Sequence, residues 1–129
     1  FANWEMANEG KRAYRKAKQK HPMPQRIDES HGRHWVTAKY WGISRQQIED
    51  LVKECRETGK WDDDFNVHQF VQEFVKPQTQ GKGMGYALMI NQDKPLAVNL
   101  MVSHAWLENA RLFFQDVLAF MQPHEVAYI

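Results

Sequence analysis

The sequence predicts an α+β to α/β fold: a helical N-terminal half, then a short strand pair, then a βα unit. Two polar signatures, Ser44-x-x-Gln47 and Asn66-x-x-Gln69, each precede apolar residues at helical spacing. Beyond Pro77 the period breaks into short apolar runs separated by turn residues. The longest run, Leu96–Val102, leads into another helix-period stretch. At 129 residues the chain is long enough to bury a core of its own.

Residues 1–33 read as a basic arm, extended or helical. Asn3 to Lys20 is rich in helix formers, with Trp4, Ala7, Tyr14 and Ala17 as its apolar members. Pro22 and Pro24 stop it, because each removes a donor and restricts the residue before it. Residues 34–76 read as a two-helix segment with aromatic anchors, among them Trp35, Tyr40 and Trp41. In the first helix Ser44 caps, Ile48, Leu51, Val52 and Cys55 form the apolar stripe, and Gly59 stops the helix. In the second, Asn66 caps, Val67, Phe70, Val71, Phe74 and Val75 share a face, and Pro77 is the expected end.

Residues 77–129 form the α/β segment. Gly81–Gly85 is a flexible turn, Tyr86–Ile90 an expected strand, and Asn91–Pro95 turn chemistry. Leu96–Val102, interrupted only by Asn99 as a polar residue, is an expected buried strand. Leu107, Ala110, Phe114, Val117, Leu118 and Met121 mark a helix over about 108–122. Val126–Ile129 reads as a strand just beginning. That apolar ending and the absent initiating Met lead us to expect an incomplete portion of a larger α/β domain. One parallel βα unit cannot cover both faces of its sheet, so the apolar surfaces of 96–102 and 107–121 should meet further chain or another protein.

Composition excludes several classes. No window approaches the roughly 18 apolar residues of a membrane span, and mean hydropathy is −0.70. The single cysteine, Cys55, rules out an internal disulfide and points to an intracellular, reducing compartment. The net charge of +1 hides an asymmetry: residues 1–60 hold 13 Lys/Arg against 8 Asp/Glu, and residues 61–129 hold 4 against 8. A basic arm of this kind fits an acidic protein surface or a peripheral contact with anionic lipid. Its rings and cations are not interleaved as nucleic-acid modules require, which argues against nucleic acid as the partner.

The motifs that invite chemistry have simpler readings. Six histidines are scattered without zinc spacing, so no metal site is expected. The Gly81-Lys82-Gly83 turn lacks the strand–loop–helix context of a phosphate loop, and no cofactor is expected. Asp62-Asp63-Asp64 reads as a solvated acidic turn. Cys55 lies on an apolar stripe, where burial suppresses the thiolate. Ser103 and His104 are strand neighbours that point to opposite faces, so they are not a hydrolase pair.

The segment Val102-Ser103-His104-Ala105-Trp106 sits where open α/β sheets place ligands, at the carboxyl end of a strand before a helix. It resembles the opening βα unit of a TIR-like domain, and more narrowly a group of proteins from unicellular eukaryotes with a strand-ending Ser-His-Ala/Trp-Trp motif. Val75-Lys76-Pro77-Gln78-Thr79 and Gly85-Tyr86-Ala87-Leu88 occupy the places of that group's preceding segments. The resemblance spans about residues 67–129. It implies a scaffolding module or an NAD-cleaving enzyme. The cleaving members use a glutamate from a later part of the fold, so no catalytic residue carries over. Ser103, His104 and Trp106 are the candidate ligand-lining residues.

Two functions follow as expectations. The first is a non-catalytic accessory or scaffold subunit, ordered by other protein subunits of a larger assembly. Its expected partner anchors are Trp4, Arg12, Tyr14, Arg15, Trp35 and Trp41, since aromatic and Arg side chains carry most interface energy. The second is a TIR-like nucleotide-binding or NAD-cleaving enzyme of which this chain is a fragment.

Overall fold

The computed structural model describes residues 36–129. The expectations for the basic arm, and for Trp4, Arg12, Tyr14, Arg15 and Trp35, lie outside the described residues. Within them the fold is α+β.

Strand β1 (Ile43–Ser44) runs directly into helix α1 (Arg45–Glu57). The Ser44 hydroxyl accepts from the Gln47 amide while the Gln47 side chain accepts from the Ser44 amide, the reciprocal cap its spacing predicts. Gln47 then exchanges hydrogen bonds with Asn91, whose amide also donates to the Gly42 carbonyl. The α1 cap therefore also ties down the 91–95 turn. Gly59, with φ of 76°, takes the left-handed conformation that ends α1.

The second capping box forms as well: Asn66 opens α2 (Val67–Phe70). The helical course does not end at Pro77. It continues through a π turn (Val71–Val75) into α3 (Lys76–Thr79). A proline ring clashes with the carbonyl four residues back in a regular helix, and a wider turn relieves that clash. The Gln78 and Thr79 side chains donate to the Phe74 and Val75 carbonyls beside the missing proline donor.

Two expected strands need correction. Tyr86–Ile90 is a short helix, α4, with Tyr86, Ala87 and Leu88 all buried. Five apolar residues have no period that separates a strand from a fully buried helical turn. Of Leu96–Val102, only Leu100–Met101 forms a strand, β2, and it is not buried: Met101 is 71% exposed. Residues 96–99, which lead into it, are held by isolated backbone bonds. Gly42 donates to the Leu96 carbonyl, Val98 to the Lys39 carbonyl, and Asn99 to the Val126 carbonyl.

Helix α5 (Ala110–Phe120) follows, capped by Asn109, and β3 (Val126–Tyr128) closes the sheet. The strand order is β1-β3-β2. The terminal run is thus the central strand of the sheet: antiparallel to β1 through Ile43↔Ala127 and parallel to β2 through Leu100↔Ala127. β2, α5 and β3 make a parallel strand–helix–strand unit, one strand more than the expected βα unit.

The core lies between α1, α5 and the α2–π segment. Ile48, Leu51, Val67, Phe70 and Phe114 are the largest side chains with essentially no exposure. Phe70 and Phe114 meet edge to face at 4.9 Å, and Phe74 and Phe113 extend the ring cluster on either side. Arg45 reaches across to the end of α5, donating twice to the Leu118 carbonyl while paired with Glu49. A cation at that terminus also complements the helix dipole.

Gly42 sits where neighbouring sheet segments leave no room for a side chain. A Cβ there would overlap Val126 Cγ1 and lie 2.7 Å from the Leu96 carbonyl oxygen, both fixed by the sheet. Gly42→Ala is therefore expected to destabilise the fold by about 1–3 kcal/mol, the usual cost of overpacking. Urea unfolding checks this; an unchanged midpoint would show that the neighbouring segments have slack.

Candidate functional site

The loop between β2 and α5 is built by its backbone. Glu108 accepts the Ala105 amide through its carboxylate, and its own amide donates to the Ala105 carbonyl, closing a tight turn. The turn then locks onto the start of α2. Val67 donates to the Glu108 carbonyl, His68 to the Trp106 carbonyl, and Ala110 returns a bond to Phe65. Asn66 and Asn109, the two cap residues, form an isolated antiparallel bridge. Asn109 also donates to the Asp63 carbonyl and accepts from the Leu112 amide. Amides in the first turn of a helix ordinarily lack a backbone partner, and here each helix start supplies the other's.

Ser103, His104 and Trp106 do not converge on one ligand. Ser103 is exposed and lines a cleft between β2 and α5. His104 turns inward from it and packs against Phe113 at 5.6 Å and Trp106 at 5.1 Å, nearly perpendicular to the indole. The far side of the indole network meets the His68 ring at 5.9 Å. His104 Nδ1 is shielded from solvent and has no hydrogen-bond partner among the described residues. Burial pushes the His104 pKa below its ordinary value, and the Glu108 carboxylate opposes that shift. Trp41 is half-buried and donates its indole N–H to the Val36 carbonyl at 2.9 Å, an internal contact.

Elsewhere the chemistry-bearing residues are occupied structurally. Cys55 sits inside the core, its thiol pushed up to about 12 by burial first and Glu54 second. Among the described residues no three His, Cys, Asp or Glu side chains gather to hold a metal ion. Trp61, beneath the Arg56 guanidinium at 4.7 Å and bonded to Asp63, fixes the acidic turn before α2. No helix among the described residues is long and apolar enough to cross a membrane.

The cleft beside Ser103 has a volume of about 660 Å³, within the range of about 300–1,000 Å³ typical of binding clefts. β2 forms one wall, and Phe113, Val117 and Met121 of the α5 region line the cleft with it. Met101 and Phe120 also line it, and they are 71% and 70% exposed. Neither is evident as a cleft residue from the sequence: Met101 lies in an apolar run that predicts a buried strand, and Phe120 lies off the inner stripe of α5. A signal for Phe120 was available: with Leu112 it forms an apolar set off the stripe of Ala110, Phe114 and Val117. Comparison with protein-family models, curated proteins and solved structures returns no match.

The environment of His104 makes a pH prediction. Its lowered pKa means that the unfolded chain takes up a proton first, so stability is present above pH 6.5 and is lost as pH falls through the folded-state value. Unfolding midpoints measured between about pH 7.5 and 5 should decline less steeply in His104→Phe, which keeps the ring packing without the titration. An identical slope in the variant would remove His104 as the source.

Proposed function

We propose that this chain is a non-catalytic accessory or scaffold subunit that docks into a larger protein assembly through the β2–α5 cleft. One observation carries the reading: two large apolar side chains, Met101 and Phe120, are about 70% exposed on a single cleft. Contiguous apolar exposure marks interaction surfaces, whereas isolated apolar residues on a surface do not. Among the described residues no strand pairs with the outer edge of β2, which supports the same reading, because soluble proteins usually cover or charge such an edge. The basic arm expected from the sequence would add a second, electrostatic contact to the same partners.

A TIR-like nucleotide-binding or NAD-cleaving enzyme is the second reading. It is favoured by the parallel β2–α5–β3 connection, with Ser103 just beyond the carboxyl end of β2.

Size analysis of the tagged chain in extracts of its native cells tests the docking reading. The chain is expected in a species far larger than its own 15.3 kDa, and Met101→Asp with Phe120→Asp should release it. Both side chains are exposed, so the fold should survive. A free chain in extract, or an assembly indifferent to the double substitution, contradicts the reading. Nicotinamide release from NAD by the natural protein would favour the enzyme instead.

A further inference from the structure

The geometry of β2 goes further and, resting on the docking reading, specifies the partner's form. In the parallel pair Met101↔Tyr128, the Val102 amide donates to the Tyr128 carbonyl. In such a pair only one of the two residues bonds to its opposite strand, and here it is Tyr128. The N–H and C=O of Met101 therefore face the other way, toward the edge that no described strand covers. They offer one donor and one acceptor to an extended backbone laid beside β2. α5 flanks that edge, so alternate side chains of an added strand would enter the cleft over Phe113, Val117 and Met121.

Charge selects among the occupants. Glu108 and Asp116 line the cleft, and among the described residues no Lys or Arg does. A second copy of this chain pairing edge to edge would bring the same two carboxylates together, an unfavourable like-charge contact. A segment with cations beside its apolar stretch would meet both favourably. We propose that the β2–α5 cleft takes an extended apolar segment of a partner protein, flanked by Lys or Arg, as an added strand on the open side of Met101. Main-chain bonds would supply affinity, and the cleft and its carboxylates would supply selectivity.

Fluorescence anisotropy with the whole chain tests this, using a short synthetic peptide of alternating Val and Thr with a pair of lysines at each end. Two matched peptides serve as comparisons: one with glutamates in place of the lysines, one N-methylated at alternate core positions. The lysine peptide should bind saturably and more weakly as salt rises. Glutamate flanks, N-methylation and Asp116→Lys should each weaken it by at least about fivefold. Equal affinity for the two charged peptides, indifference to N-methylation, or no saturable binding would overturn the proposal. If these peptide results fail while Met101→Asp with Phe120→Asp still releases the chain from its assembly, only the strand-addition proposal falls. If that release fails too, the docking reading falls with it.

Discussion

The described fold depends on a mutual capping of two helix starts. α2 and α5 begin side by side, and the backbone of each cap segment accepts the first-turn amides of the other. A helix start exposes amides that must find partners, and a buried start without them costs about 1–3 kcal/mol per unpaired group. Here Val67, His68 and Ala110 are satisfied together in one exchange. Two positive helix ends are thereby brought close, and the acidic residues around them, Asp62–Asp64 and Glu108, offset that cost.

From that junction the remaining architecture follows. It sets the spacing of α2 and α5, so that Phe70 and Phe114 meet edge to face in the centre of the core. It closes the Ser103–Asn109 loop against α2, which draws His104 and Trp106 into a ring cluster and away from the cleft. With the inner stripe of α5 committed to the core, its other apolar residues are left outside. Phe120 and Leu112 are exposed for this reason, and Phe120 borders the cleft with Met101. The proposed docking surface is thus a consequence of how the core is closed.

The sequence made the locally encoded features readable. Both capping boxes are chemistry within four residues, and both form at the predicted cap positions. The apolar stripes of α1 and α2 were equally legible, because helical period and burial coincide there. Features fixed by distant partners were not. The apolar run Val126–Ile129 was legible as a strand, but its central place in the sheet was not, and β2 is two residues long, defined more by its pairing than by its propensity. Tyr86–Ile90 is apolar throughout, so its period is silent, although it folds as a helix with Tyr86, Ala87 and Leu88 buried. Pro77 should have ended the helical course, and the π turn that accommodates it leaves no sequence signature known to us. The Asn109 cap lacked a Gln or Glu three residues on, so it showed no box, although an Asn before an apolar stripe is itself a start signal. Of the candidate site residues, Ser103 borders the cleft, while the cleft's apolar rim belongs to residues set by tertiary packing.

The mutual cap is most directly measured by amide hydrogen exchange at single-residue resolution. First-turn amides ordinarily exchange with the fraying end of their helix, at rates set by local opening. Val67, His68 and Ala110 should instead exchange as slowly as core amides such as Leu51, through global unfolding alone. The first-turn amide of Gln46 in α1 provides the reference for a helix start of the ordinary kind. Protection of all three to the level of Leu51 is the predicted result; exchange of Val67, His68 and Ala110 as fast as Gln46 would contradict the account.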